Sequence, residues 1–230
     1  MTDYSAMFAR VKSSRTANIF SEIVLIVVGI NIALWFEGWF EDLQDAETEQ
    51  LYLAGLRDDT NTDIASLDSI VEFSEAKRDK LGSILPGLPN LAQAPADEQA
   101  AALFEPSGYQ FFYPSDFTYR SMQESGDFRL LRDPGTKRSI LRLARLYRQI
   151  EVEQDNYLQA LDDEYIPLIM RSFDMVQGRV TDPAVLDKQI FRNVFAYAYQ
   201  DTQSRSRTYR AARKQAQELL ELIESQLEAE

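Results

Sequence analysis

The chain has 230 residues and carries 37 acidic against 24 basic side chains, so its net charge is −13. We expect no nucleic-acid partner, because such binding is driven by counterion release against lysine and arginine. Hydrophobic residues make up 45% of the chain, which is enough for a sizeable core. The absence of cysteine excludes disulfides and thiolate nucleophiles, and the absence of histidine removes the commonest general base and metal ligand. We therefore expect no enzyme activity, no bound metal and no cofactor.

One segment near the N-terminus, residues 19–40, is long and apolar enough to cross a membrane. From Ile23 to Phe36 it is apolar except for Gly29 and Asn31, and aromatic residues extend it toward its C-terminal end. A helix of about 20 residues spans about 30 Å of hydrocarbon, since each residue adds about 1.5 Å. The sequence thus predicts a transmembrane helix at 19–40.

The charges on either side of this helix predict its orientation. Acidic residues follow the helix, with no basic residue before Arg57, whereas the residues that precede it are basic: Arg10, Lys12 and Arg15. Lysine and arginine are enriched on the cytoplasmic side of membrane helices. We therefore expect residues 1–18 in the cytoplasm and residues 41–230 on the opposite side of the membrane.

Two other interpretations of the segment stay open. A cleaved signal peptide needs small residues after its apolar run, but this run ends in bulky residues that include Trp35 and Trp39. Indole rings favour the membrane interface, so we expect these two residues to anchor an uncleaved helix at its outer end. A buried helix of a soluble protein would have to explain the asymmetric charges at the two ends.

Polar and small residues inside the run indicate contact positions. At 100° per residue, Glu22, Gly29 and Ala33 fall within about 40° of one another on one helix face. Gly29 and Ala33 form a small-xxx-small pair, which lets another helix approach closely. Asn31 lies on roughly the opposite face and could hydrogen-bond to a second helix. We expect packing against a second copy or another membrane subunit; the alternative is a monomeric anchor that contacts lipid alone.

The residues after the membrane helix predict a chain of further helices. Residues 41–81 contain no proline and show apolar spacings of three and four, so a long helix should continue straight from the membrane segment. Its polar middle, 57–63, is either solvated or packed through side-chain hydrogen bonds. The proline-rich stretch 82–99 predicts a loop or hairpin connection.

Capping signals predict the remaining elements. A short helix should start at Ser115 or Asp116 and end at Gly126, and a long helix should start at Asp133 with a kink or end at Pro167. A turn at 176–183 precedes a last helix that begins near Pro183. Two heptad-like seams line the long helices: Ile140, Leu143, Tyr147, Ile150, Gln154, Tyr157 and Leu161 on one, and Tyr209, Ala212, Ala216, Leu219 and Ile223 on the other. The predicted fold class is all-α, a transmembrane helix followed by an antiparallel helical bundle.

Two stretches resemble a large family of uncharacterised bacterial single-pass membrane proteins. The first, "SEIVLIVVGINIAL" (21–34), is similar to the family's N-terminal signature, and the matching residues are Glu22, Gly29, Ala33, Leu34, Trp39 and Glu41. The second, "DFTYRSMQESGDFRLLRD" (116–133), resembles a helical motif that runs into Ser-Gly, with Met122 where leucine is more usual. The resemblance implies an all-helical domain in the periplasm, anchored in the bacterial inner membrane. It supplies no activity and no site residues.

Two clusters in the bundle are candidate contact surfaces. The first is aromatic, and it either forms core or lines a partner surface or ligand pocket: Tyr109, Phe111, Phe112, Tyr113, Phe117 and Tyr119. The second is basic, and its members share one helix face: Arg138, Arg142 and Arg145. These arginines belong to a basic stretch at 129–148, and a second basic stretch lies at 205–214. We expect both stretches to pair within the chain with the acidic helix that follows the membrane segment; the alternative is a patch for anionic headgroups or a partner.

Three hypotheses for function follow from these features. The first is a non-enzymatic structural or accessory protein that associates with itself or with a larger inner-membrane complex. The second is a periplasmic sensor or ligand-binding module that uses the aromatic cluster; a separate partner would have to signal, because residues 1–18 are too few for an output domain. The third, a carboxylate-based enzyme, has the weakest support, since adjacent acids such as Asp162 and Asp163 diverge by 100° on a helix.

Overall fold

The structure is a computed structural model that describes the backbone of residues 4–229 and the side chains of Glu22 and of residues 24–229. The basic side chains that predict orientation, Arg10, Lys12 and Arg15, lie outside the described residues, as do those of the predicted 1–18 segment as a whole. The chain divides into two compact units, Met1–Leu51 and Tyr52–Glu230.

The first helix, α1, runs without interruption from Tyr4 to Ile84. This confirms the prediction that a long helix continues straight from the apolar segment. Its continuity follows from composition, because the first proline of the chain comes at Pro86, after the helix ends. The side chains from Val24 to Phe40 are exposed.

Most of the rest of the described chain is also helical, which confirms the all-α fold class. The helices after α1 are α2 Ala96–Phe104, α3 Phe117–Ser125, α4 Pro134–Ala160, α5 Ile166–Ser172 and α6 Gln189–Leu227. Single 3-10 turns join several of them, and a π-helical turn, Leu161–Tyr165, lies between α4 and α5. Two antiparallel two-residue strands, β1 Phe173–Asp174 and β2 Arg179–Val180, form a small hairpin that sequence analysis missed.

Several predicted helix ends are confirmed. The Asp133 carboxylate accepts a hydrogen bond from the Thr136 N–H at 2.6 Å, so Asp133 caps α4, and Pro134 is its first residue. Gly126 ends α3 with a φ of 81°, a left-handed conformation that glycine adopts without strain. Asp116 precedes α3 as predicted, although its side chain makes no capping hydrogen bond.

Two predicted boundaries are wrong. The stretch 82–99 is not a simple loop: residues Leu85–Gln93 form a 3-10 helix and α2 begins at Ala96. The 3-10 geometry accommodates its prolines because buried Leu88 and Leu91 fix the segment to the core. The last helix begins at Gln189 rather than near Pro183, since the Asp182 side chain caps a separate 3-10 turn, Pro183–Val185.

The second unit is a bundle of three long helices: the part of α1 after Tyr52, α4 and α6. Both predicted seams line its interior, and every member of the α6 seam is buried. The core forms three layers along the bundle, which are centred on Leu53 and Leu219, on Leu67 and Tyr209, and on Leu81 and Phe195. Hydrogen bonds from the Gln226 amide to Thr136 Oγ1 and from the Tyr209 hydroxyl to Gln154 Oε1 show that α4 and α6 are antiparallel.

Candidate functional site

The aromatic cluster divides between core and surface. Of its six members only Phe112 is buried, whereas Tyr113 and Phe117 are 77% and 80% exposed. The Tyr109 and Phe111 rings stack at 4.7 Å, and the Phe111 and Tyr113 rings meet edge to face at 6.4 Å. Contacts between every second residue indicate that residues 108–116 form an extended segment, with one aromatic face toward solvent.

Side chains from the long helices hold this segment in place. The Gln154 amide accepts from the Phe112 N–H at 2.8 Å and donates to the Phe112 carbonyl at 3.2 Å. On α1, Asp63 accepts from the Ser115 N–H at 2.7 Å and Asp59 from the Thr118 N–H at 2.9 Å. One face of the polar stretch 57–63 is thus packed through hydrogen bonds, while Asp58, Asn61 and Thr62 are exposed, so each of its two predicted environments holds for part of it.

Asp63 is almost fully buried beside Tyr147 of α4. The Tyr147 hydroxyl donates to the Asp63 carboxylate at 2.7 Å. Burial raises the pKa of Asp63, and the hydrogen bonds from Ser115 and Tyr147 oppose that rise. Burial also raises the pKa of Tyr147, and the nearby carboxylate raises it further. The pair therefore joins α1, α4 and the extended segment around one buried carboxylate.

A groove of about 520 Å³ lies between the extended segment and α4. Phe111, Tyr113 and Tyr119 form one side, and α4 forms the other from Ala144 to Leu158. Charges of both signs stand around it, and they belong to Asp116, Arg120, Arg148, Glu151 and Asp155. This mixed lining suits a ligand or peptide with apolar and charged parts.

A buried lysine that sequence analysis missed holds the start of the extended segment. The Lys77 ammonium donates to the Tyr157 hydroxyl at 2.9 Å, to the Pro106 carbonyl at 3.0 Å and to the Gly108 carbonyl. The sequence did carry a signal, because Lys77 falls in a three-and-four spacing with the apolar residues Leu67, Ile70 and Leu81.

Two cations lie against the ring of Tyr157. Lys77 Nζ is 4.9 Å and Arg205 Cζ is 4.3 Å from the ring centroid. Arg205 is buried and pairs with Asp201 at 2.5 Å. Burial lowers the pKa of Lys77 to about 7; Arg205 lowers it too, while Glu105 and Asp201 oppose the shift.

The two basic stretches behave differently. On α6, Arg213 pairs with Asp68 of α1 at 2.8 Å and Arg210 with Glu75 at 3.5 Å. The candidate patch on α4, Arg138, Arg142 and Arg145, is exposed and makes no ion pair within the described part of the chain. The expected pairing within the chain is therefore confirmed for α6 and wrong for α4.

The candidate packing residues of the apolar segment are all exposed. A Cβ on Gly29 would meet no atom within 4 Å, and Glu22 and Ala33 are open on the same side. The Asn31 amide donates one N–H to the Val27 carbonyl of its own helix at 2.7 Å, which leaves its second N–H and its oxygen for another helix. Trp35 and Trp39 each contact Phe36 edge to face.

Among the described residues, one helix is long and apolar enough to cross a membrane, and none of its most apolar window is buried. A signal sequence near the N-terminus meets the same criteria of length and composition. No group of three or more acidic side chains in the described part of the chain could hold a metal ion.

The chain matches the model of a family of unknown function, DUF6090, over residues 22–169. It is a member of DUF6090. The match begins at Glu22, in the first stretch on which the resemblance rests, and ends in α5, so it contains Asp63, Lys77 and Tyr157. Arg205 of α6, which lies over the Tyr157 ring, is outside the matched residues. No curated protein and no solved structure matches the chain.

Proposed function

We propose that the protein is a non-enzymatic accessory protein of the bacterial inner membrane, with its N-terminus in the cytoplasm and its helical bundle in the periplasm. It associates with itself or with a larger membrane complex through its membrane helix and its bundle. The observation that carries the proposal is the apolar run from Val24 to Phe40, whose large side chains are all exposed.

Water is a poor solvent for such a surface. Leu25, Trp35 and Phe40 are each about two-thirds exposed or more, at 75%, 67% and 67%. Burying one large apolar side chain is worth about 1.5–3 kcal/mol. The run holds on the order of ten such side chains, so transfer into lipid would stabilise it by tens of kcal/mol. The charge asymmetry around the run supports the proposed orientation.

The face of Gly29 and Ala33 supports association within the membrane. Both positions are open, so a second helix can approach the backbone closely there. Asn31, on the opposite face, bonds to its own helix through one N–H and keeps a second N–H and an oxygen for another helix. The proposed contact uses first the face that Gly29 and Ala33 share with Glu22.

The anchor can be tested by extraction of membranes with alkaline carbonate. The full-length chain should stay in the membrane pellet with its N-terminus intact, and a C-terminal reporter should be active only in the periplasm. Ile30→Arg should release a large fraction, because arginine at a helix centre costs about 2.5–3.5 kcal/mol. A mature chain that starts after residue 40 would instead show a cleaved signal and overturn the anchor.

Association can be tested by the size of the complex in mild detergent. Gly29→Leu should reduce the size, since leucine blocks the small-residue face. Gly38→Leu is a matched control, because Gly38 is equally open but lies on the opposite face of the helix, about 180° from Gly29 at 100° per residue. A monomer that co-purifies with nothing and is unchanged by Gly29→Leu would refute the proposed association.

The groove beside the extended segment favours a second candidate function, binding of a small ligand. Its 520 Å³ volume lies within the range of small-molecule sites. A thermal-shift screen with small metabolites would test it, and Tyr113→Ala should abolish any shift. Phe117→Ala serves as the control, because Phe117 is 80% exposed and does not line the groove. If no compound shifts the melting temperature, this candidate fails.

A further inference from the structure

The groove between the extended segment and α4 holds three charged side chains without partners in the described chain. Arg148, Glu151 and Asp155 line its α4 wall and are exposed, and none of them makes an ion pair or a side-chain hydrogen bond with another described residue. The other charges of the groove are matched already, because Arg120 pairs with Asp116 at 2.6 Å. The groove therefore offers one free guanidinium and two free carboxylates.

These three side chains form one stripe along α4. At 100° per residue they fall within about 60° of one another around the helix. At about 1.5 Å per residue, Glu151 lies about 4.5 Å along the axis from Arg148, and Asp155 lies about 6 Å further on. The order along the groove is thus one cation followed by two anions, with the longer interval between the anions.

The opposite wall presents aromatic rings at the same level. The Gln154 side chain, which lies between the two carboxylates in the sequence, bonds to both backbone groups of Phe112 at 2.8 and 3.2 Å. Phe111 and Tyr113 are about 3.3 Å along the segment on either side of Phe112, and both line the groove. A carbon chain that lies along the stripe therefore meets aromatic rings, which also attract cations.

Both walls are fixed at each end by buried polar contacts. At one end, Asp63 of α1 accepts hydrogen bonds from Ser115 of the segment and from Tyr147 of α4, both at 2.7 Å. At the other end, Lys77 donates to the start of the segment and to Tyr157 of α4. A site that is ordered in advance loses less binding free energy to ordering when a ligand enters.

We propose that this groove binds a diamino carboxylic acid, an amino acid whose side chain carries a second amino group. Its carboxylate pairs with Arg148 and its α-ammonium with Glu151. Its side-chain ammonium pairs with Asp155, and the carbon chain between the two ammonium groups lies against Phe111 and Tyr113. The carboxylate and the α-ammonium of such a molecule share one carbon and the second ammonium is several bonds away, which fits the shorter and the longer interval of the stripe. This ligand class rests on the second candidate function, in which the groove is a ligand site.

Simpler ligands leave part of the stripe unmatched. An amino acid with one amino group leaves Asp155 without a cation, and a diamine leaves Arg148 without an anion. A diamino acid has one anion and two cations, so it matches the three free groups in number, sign and order. Because exposed ion pairs are screened by salt, the affinity should fall as ionic strength rises.

Calorimetric titration of the full-length chain in mild detergent with L-lysine tests the ligand class. We expect saturable binding at low ionic strength. L-norleucine lacks the side-chain ammonium of L-lysine and 1,5-diaminopentane lacks its carboxylate, and each should bind about three- to tenfold more weakly.

Substitutions assign each group of the ligand to its partner. Asp155→Asn should weaken L-lysine about three- to tenfold and leave L-norleucine unchanged. Arg148→Gln should weaken L-lysine to a similar extent without weakening 1,5-diaminopentane. Arg142→Gln and Glu221→Gln remove the same charges at exposed positions outside the groove and should change nothing. Unchanged melting temperatures without ligand would exclude misfolding.

The absence of saturable L-lysine binding would overturn the ligand class, and so would binding that Asp155→Asn and Arg148→Gln leave unchanged. L-norleucine that binds as tightly as L-lysine would do the same. If another metabolite then shifts the melting temperature through Tyr113, the groove stands as a ligand site for a different class. If no compound does, the ligand-binding candidate fails as well, and the tests of the anchor and of association are independent of both results.

Discussion

The two halves of α1 differ in which side chains they expose: the first exposes apolar ones and the second buries polar ones. From Val24 to Phe40 the helix is apolar except at Asn31 and Glu37, and its side chains are exposed. From Tyr52 to Ile84 it is amphipathic, and its buried face includes Thr60, Asp63 and Lys77. The apolar surface has no cover among the described residues and is the surface that we propose lies in lipid, whereas the buried polar groups have partners inside the fold.

The largest expected difference between the halves concerns truncation of an apolar side chain. Leu67→Ala should lower the free energy of unfolding of the bundle by about 2–5 kcal/mol, because Leu67 is fully buried and leaves a cavity. Val28→Ala should leave bundle stability unchanged, since Val28 is 50% exposed. Thermal unfolding followed by circular dichroism in detergent would measure both. Equal losses in the two variants would contradict the comparison.

The next effect is the pH dependence that Lys77 imposes on the bundle. Its native pKa of about 7 lies below the ordinary 10.5, so the unfolded chain binds more protons between these values. Stability should therefore rise with pH, by about 3 kcal/mol between pH 7 and 9.5. Above this window the buried tyrosines, whose pKa is raised by burial, favour ionisation of the unfolded chain and reverse the trend.

Lys77→Met is the matched variant for this pH profile. Methionine keeps the length of the side chain and removes the titration, so the rise between pH 7 and 9.5 should vanish. A wild-type profile that is flat over this range would show that the three hydrogen bonds and the carboxylates of Glu105 and Asp201 keep Lys77 charged.

A smaller effect is expected at Asp63, where α1 contacts the extended segment. Asp63→Asn replaces one carboxylate oxygen by an amide donor, so either the Ser115 N–H or the Tyr147 hydroxyl loses its acceptor. We expect a loss of about 1–3 kcal/mol in unfolding free energy. Asp58→Asn is the control, because Asp58 is on the exposed side of the same turn. If both variants lose the same amount, the buried contact contributes nothing specific.

The smallest effect contrasts two glycines of α1. A Cβ on Gly55 would lie 2.8 Å from Oγ1 of buried Thr118, so Gly55→Ala should cost about 1–3 kcal/mol through overpacking, less the gain in helix propensity. Gly29→Ala meets nothing and should leave bundle stability unchanged. Thr118→Ala in the Gly55→Ala background should relieve the clash. If the double variant melts at the same temperature as Gly55→Ala alone, the loss of stability does not come from the clash with Thr118.

Local signals predicted much of the fold. The cap at Asp133, the left-handed Gly126 and both seams could be located because each depends on residues close in sequence. The 82–99 stretch could not, since its prolines indicate a break while its helical turns depend on Leu88 and Leu91 reaching the core. Tertiary burial there outweighs the local signal.

The contact surfaces were harder to predict, because pairing between helices depends on their angles. Sequence predicted that basic residues of α4 and α6 pair with the acids of α1, but not that Arg210 and Arg213 of α6 make such pairs while Arg138, Arg142 and Arg145 of α4 do not. The sequence identified the aromatic cluster but not that Phe112 is its buried member, whose backbone N–H and carbonyl both bond to the Gln154 side chain. The spacing of Lys77 with the apolar residues of α1 indicates a buried position, although lysine as a residue type predicts an exposed one.

The π-helical turn at Leu161–Tyr165 has a consequence for changes in chain length. Such a turn holds about one more residue than an α-helical turn, and its wider ring leaves room for Pro167 in the next turn. Deletion of one residue here would restore regular α-helical winding, and because one π turn and one α turn rotate the chain almost equally, the helix after it would keep its phase. Buried Ile169 would then stay on the core side, so this short stretch is where the junction of α4 and α5 can lose a residue without turning its buried face outward.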